Sequence, residues 1–111
     1  MRRTVGELCG RSGWTLLCGD AERPVEGAYA CDMLSWVMSR ATAGGAWVTI
    51  LNSLNVVAVA VLADVACVVL SEGAAMAPDV LERAREKGVT VVSAPEDTCR
   101  AILALHDAGV V

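Results

Sequence analysis

The sequence predicts an α/β domain: a mainly parallel sheet with helices on both faces, in three layers. Short apolar runs recur at residues 14–18, 46–51, 66–70 and 89–93, and the stretches between them carry helical spacing with start and stop signals. Hydrophobic residues make up 55% of the 111 positions, with no Phe, so the core must be built from Val, Ala, Leu and Met, which suits strands buried on both faces. The length fits a single domain over residues 1–111, with no internal repeat or low-complexity segment.

Each element has a local reason. Thr4 and Glu7 stand at capping-box spacing, which predicts one or two helical turns over residues 4–10, ended at Gly10. Trp14-Thr15-Leu16-Leu17-Cys18 is a short apolar strand closed by Gly19-Asp20. Residues 21–24 read as a polar loop and 25–30 as a second strand leading into Asp32. Asp32 is placed to cap a helix whose inward stripe is Met33, Leu34, Val37, Met38 and Ala41, stopped by Gly44-Gly45. Residues 46–51 read as a strand buried on both faces and closed by Asn52-Ser53. Asn55 is placed to cap a helix through residue 63, yet Val56, Val57, Val59 and Val61 suit a strand equally well, so periodicity leaves this segment open.

Residues 66–70 form a strand running into Ser71-Glu72-Gly73. The next helix has Pro78 in its first turn, Asp79 beside the positive end of the dipole, Val80, Leu81 and Ala84 inward, and Gly88 as its stop. Residues 89–93 are the last strand. Pro95-Glu96-Asp97 then opens a final helix with Cys99, Ile102, Leu103 and His106 as its inner face and Gly109 as its stop. Trp14, Trp36 and Trp47 are expected as the large pieces of the core.

A net charge of -4 argues against nucleic acid, which needs clustered cations to replace counterions. The cations present, Arg2 with Arg3, and Arg83, Arg85 and Lys87 among Glu82 and Glu86, read as solvated surface. The basic start is followed by Glu7, Gly10 and Arg11 and by no apolar run, so no secretory signal is visible. The best candidate membrane stretch, residues 56–70, is split by Asp64 into pieces too short for about 30 Å of hydrocarbon. A cytoplasmic protein without a membrane partner is expected. Cys9, Cys18, Cys31, Cys67 and Cys99 are scattered, with no Cys-x-x-Cys pair and no nearby histidine, and read as reduced, buried thiols with no metal or other cofactor.

Three stretches resemble the DRTGG domain family, whose fold is that of the N-terminal domain of HPr kinase/phosphorylase. Val25-x-Gly27-x-Tyr29-x-x-Asp32-Met33-Leu34-Ser35 is similar to the family's glycine, tyrosine and Asp-Leu-Leu-Ser run. Trp47-Val48-Thr49-Ile50 followed by Asn55-Val56-Val57-Ala58-Val59-Ala60 resembles stand-alone members found alongside iron-only hydrogenases. Cys67-Val68-Val69-Leu70-Ser71-Glu72-Gly73, then Pro78-Asp79-Val80-Leu81, Gly88-Val89-Thr90-Val91-Val92 and Asp97-Thr98, resembles the versions joined to CBS domains. The resemblance implies that residues 55–63 are helical, that the chain is non-catalytic, and that it pairs with itself or with regulatory or redox partners. Ser71-Glu72-Gly73 stands where the family has Thr-Gly-Gly, and Glu72 adds a negative charge where a second glycine would bring backbone N–H groups to an anion.

Ligands of open α/β sheets bind outside the carboxyl ends of the strands. The candidate ligand-binding residues are therefore Asn52, Ser53, Asn55, Ser71, Glu72, Gly73 and Asp32, suited to a small polar or nucleotide-like molecule. Capping by Asn55 and Asp32 and a turn held by Asn52 explain the same residues without a ligand. His106 is the sole histidine and is expected to pack partly buried. Neither a Ser/His or Cys/His pairing nor a Gly-Lys-Ser/Thr loop is present, so an enzyme is not expected. The apolar surplus predicts a homo-oligomer, most simply a dimer. Two other readings are a ligand-free scaffold and an iron–sulfur or electron-transfer protein using the cysteines.

Overall fold

The structure, a computed structural model, describes residues 3–111. Arg2, expected to be solvated beside Arg3, lies outside them. The chain opens with β1 (Arg3–Thr4) running directly into α1 (Val5–Ser12). The capping box forms as its spacing predicts: Thr4 Oγ1 accepts from Glu7 N at 3.2 Å, and Glu7 Oε1 accepts from Thr4 N at 3.0 Å. The backbone N–H of Thr4 holds the Glu7 carboxyl below its ordinary range. The helix passes Gly10 and ends at Gly13, whose left-handed φ of 72° closes it. Arg3 is not simply solvated, since its Nε donates to Ala108 O at 2.9 Å.

After β2 (Thr15–Cys18) come β3 (Pro24–Val25) and β4 (Ala28–Ala30). The single strand expected over residues 25–30 is thus two, separated by Gly27 at φ 88°. Its halves serve different sheets: β3 pairs antiparallel with β1, while β4 joins the main sheet. The alternation continues through α2 (Leu34–Arg40), β5 (Ala46–Thr49), α3 (Leu54–Ala63), β6 (Cys67–Leu70), α4 (Pro78–Glu86), β7 (Val91–Ser93) and α5 (Thr98–Asp107). The segment that periodicity left open is α3. Because β5 and β6 are parallel neighbours, a hairpin cannot join them, and the intervening valines must form the crossover helix.

The main sheet has the order β2-β7-β6-β5-β4, with three parallel pairings and β2 antiparallel at the β7 edge. Alternate residues serve the two helix layers. Trp47, Val68, Leu70 and Val91 pack with Val37 of α2, Val56 and Val57 of α3, and Val80 and Ala84 of α4. Ala46, Val48, Cys67, Val69 and Val92 pack with Val5 and Leu8 of α1 and with Ala101 and Leu105 of α5. This is the three-layer α/β/α architecture the sequence predicts.

Several side chains differ from expectation. In α5 the inward residues are Ala101, Leu105 and Ala108, whereas Cys99, Leu103 and His106 are exposed and Ile102 is half-buried. Apolar residues lie on both sides of this helix, and the side that meets the sheet is the one carrying Ala101 and Leu105. On α2 only Val37 is fully buried; Met33, Met38 and Trp36 lie outward, with the Arg40 guanidinium 4.1 Å over the Trp36 ring. Trp14 and Trp47 are the buried tryptophans. Of the thiols, all unpaired, Cys18 and Cys67 are buried, Cys9 and Cys31 half-buried and Cys99 exposed. Among the described residues no helix is long and apolar enough to cross a membrane.

Candidate functional site at the carboxyl edge of the sheet

The parallel strands end in line. Ala30 lies opposite Val48, Thr49 opposite Leu70, and Leu70 opposite Ser93, so the loops that follow β4, β5, β6 and β7 stand side by side. Side chains and backbone then fasten each loop to the next. Asp32 does not cap α2, whose N-cap is Met33 and carries no side-chain bond. Its Oδ1 instead accepts from Thr49 Oγ1 at 2.7 Å and from Ile50 N at 3.0 Å, while Thr49 Oγ1 accepts from Leu51 N at 3.1 Å. Thr49 is fully buried, so its hydroxyl needs these partners, and the loop after β5 is pinned to the loop after β4 as a result.

Asn52 Nδ2 donates to Ala75 O at 2.7 Å, tying the loop after β5 to the loop after β6. At the end of β6 the buried Ser71 hydroxyl shares a 2.7 Å hydrogen bond with the Thr98 hydroxyl. Glu72 N donates to Glu96 O at 2.8 Å, and Thr98 N donates to Glu72 Oε2 at 2.8 Å. Glu72 makes both bonds from a left-handed backbone, φ 61°, a conformation that favours glycine and that a bulkier residue holds only where its surroundings fix it. Gly73 follows at φ 70° with nothing near its Cα side.

Asp32, Asn52, Ser71 and Glu72 are thus drawn into one bonded edge, with Gly73 beside them. Ser53, rather than Asn55, is the N-cap of α3 and makes no side-chain cap bond; Asn55 lies exposed in the first turn. Thr49, Glu96 and Thr98 belong to the edge although sequence reasoning did not propose them. Asp97-Thr98 carried part of the family resemblance, and that was the available signal.

The electrostatics of this edge follow from its carboxylates. Glu72 reaches Thr98 N and Asp97 reaches Arg100 N at 2.8 Å, so the exposed N–H groups at the start of α5, which would attract an anion, already hold two carboxylates of the chain itself. Asp32 and Glu96 add further negative charge, and Arg100 is drawn to Asp97 at 3.0 Å. Donors and acceptors for a neutral polar group remain; a receptive place for a phosphate at this turn does not. Among the described residues no cluster of His, Cys, Asp or Glu is set to hold a metal ion. Burial pushes the Cys67 thiol up to about 12 and raises Cys9 and Cys18 as well, which leaves them poor nucleophiles at neutral pH. A separate groove of about 370 Å³ lies between α3 and α4, lined by none of the candidate edge residues.

The model of the DRTGG domain matches residues 7–108. The chain belongs to the DRTGG domain family. Among solved structures it is similar to the CBS and DRTGG domains of the regulatory region of Clostridium perfringens pyrophosphatase, complexed with its activator diadenosine tetraphosphate. The two agree with a TM-score of 0.74 at 12% identity, over 92% of this chain. The chain spans 45% of the length of that relative, and at this identity the likeness is one of fold. No curated protein matches the chain. In this DRTGG domain the glycine turn is occupied by Glu72, whose carboxylate closes onto the start of α5.

Proposed function

We propose that this DRTGG domain is a non-catalytic regulatory or accessory module, one domain over residues 1–111, that senses a small polar, nucleotide-like ligand at the carboxyl edge of its sheet. The observation that carries this reading is the fastening of the edge loops by Asp32, Asn52 and Glu72, which prearranges polar groups before any ligand arrives. The likeness in fold to a regulatory region complexed with a dinucleotide supports the same class of role. The carboxamide oxygen of Asn52, the Ser53 hydroxyl and the Asn55 amide are the groups for binding; Asp32, Ser71, Glu72 and Gly73 shape the edge around them. With so many carboxylates close by, the base and sugar of a nucleotide belong against this edge and its phosphates point away from it.

A melting experiment tests the proposal, using diadenosine tetraphosphate and the adenine and guanine nucleotides at millimolar concentration. A ligand at about 100 times its Kd stabilises the fold by about 2.7 kcal/mol. In a domain of this size that is a shift on the order of 10 °C. Asn52→Ala and Asn55→Ala are expected to remove the shift. If no nucleotide moves the melting temperature of the unaltered protein, the sensing role is wrong.

A second reading, self-association as a dimer or scaffold, is favoured by the exposure of Met33, Trp36 and Met38 along α2. Light scattering at tens of micromolar is expected to give twice the chain mass, and Trp36→Ser to return it to one chain; a monomeric unaltered protein would remove this reading. The resemblance to stand-alone members alongside iron-only hydrogenases makes a redox enzyme the proposed partner. The free thiols suit a reducing, cytoplasmic setting.

A further inference from the structure

We infer that the groove between α3 and α4 is a second binding site, and that its ligand is an amphiphilic anion of the fatty-acid carboxylate type. This rests on different residues from the edge site and on a different chemistry. Leu54, Val57, Ala58, Val61 and Leu62 line the groove from α3, recurring at three- and four-residue spacing, so they form one continuous strip. The eight helical steps from Leu54 to Leu62 make that strip about 12 Å long. Leu54, Val61 and Leu62 are 50%, 48% and 69% exposed, an apolar surface that the chain's own packing leaves uncovered.

The opposite wall is cationic. α4 turns Val80 and Ala84 into the core, and Arg83 and Lys87, one turn apart, line the groove. Arg83 is engaged through Nε with Glu86 at 3.5 Å, which leaves its terminal nitrogens, while Lys87 has no ion pair among the described residues. Glu82 is held by Arg85 at 3.2 Å. In a protein of net charge -4 this is a local positive site beside an apolar strip, the inverse of the carboxyl edge. A volume of about 370 Å³ falls in the range of small-molecule sites, roughly 300–1,000 Å³. The α3 wall offers no side-chain hydrogen-bonding group, so it suits a hydrocarbon chain and not a sugar or a base. The charge complementary to Arg83 and Lys87 is a carboxylate at the end of that chain.

Calorimetric titration of the full chain with decanoate, held below micelle formation, and with decanol as the uncharged counterpart tests this. Saturable binding of one decanoate per chain is expected. Arg83→Glu with Lys87→Glu is expected to weaken decanoate by about tenfold or more while leaving decanol unchanged. Ala58→Trp, at an exposed position that fills the groove, is expected to abolish binding of both without lowering the melting temperature. Absence of saturable decanoate binding, or binding that survives Ala58→Trp, overturns the inference. If the unaltered protein is a dimer by light scattering and Ala58→Trp is a monomer, a second copy covers the groove and the inference fails in that way instead. None of these outcomes depends on the nucleotide melting result, since Asn52 and Asn55 do not line the groove.

Discussion

Helices α1 and α5 cover one face of the sheet and turn mostly polar side chains outward, Leu103 being the large apolar residue they expose, whereas α2 and α3 on the other face expose Met33, Trp36, Met38, Leu54, Val61 and Leu62. Both layers bury their inner faces completely: Val5, Leu8 and Leu105 on one side and Val37, Val56 and Val57 on the other are at most 2% exposed. The inner stripe is therefore sufficient for folding in each case, and the outer apolar residues of α2 and α3 add nothing to the core of the single chain. A helix apolar at every position but one, as Leu54–Ala63 is apart from Asn55, is ordinarily buried on nearly every side. Here one side is open, which is why the proposed self-association and the α3–α4 groove both fall on this layer and not on the other.

The widest break between inner and outer residues should come from Trp47 set against Leu62. Trp47 is fully buried and donates its indole N–H to Cys31 O at 2.9 Å, so Trp47→Ala should cost about 3–5 kcal/mol in urea unfolding. Leu105→Ala, on the other layer, should cost about 2–5 kcal/mol. Leu62→Ala should stay within about 0.5 kcal/mol of the unaltered protein. A large loss at Leu62 would mean that the outer face of α3 is covered in solution, and the contrast between the layers would collapse.

A smaller effect separates the way the layers are anchored. α5 begins with a side-chain cap, Asp97 to Arg100 N, while α2 begins without one and is held at its start by Asp32 on Thr49 and Ile50. Asp97→Ala should cost about 1 kcal/mol, the usual value of a cap. Asp32→Ala strands the buried Thr49 hydroxyl and should cost about 1–3 kcal/mol. Hydrogen exchange should place the Asp32→Ala loss in α2 and the loop after β5. Uniformly faster exchange across the domain would show that α2 is anchored by its packing and not by Asp32.

Much of the candidate edge was legible before the structure, and its failures are specific. Asn52, Ser71 and Glu72 were placed at strand ends by the alternation alone, since a parallel strand must deliver its last residues to one edge. Asp32 was read as a cap because Asp before an apolar stripe is the common signature; its carboxylate turned instead to a buried threonine on a strand more than a dozen residues away, a contact that no local pattern records. Asn55 was read as a cap two residues too late, because Ser53 is the N-cap of the helix. Glu72 was recognised as a departure from glycine, but that its side chain would close over the start of α5 depends on β6 and β7 being neighbours.

The sequence by itself determined the alternation of strands and helices, the start of α1 and both ends of α4, because each of these is written in residues within a turn or two of one another. Tertiary structure decided that α3 is a helix, which face of α5 turns inward, that one predicted strand splits at Gly27 between two sheets, and what Asp32 and Glu72 bind. In each of those cases two local arrangements are nearly equal in energy, and the choice falls to groups distant in the chain: a parallel neighbour that requires a crossover, a sheet face that takes up Ala101 and Leu105, and a buried hydroxyl or an exposed helix end that must find a partner.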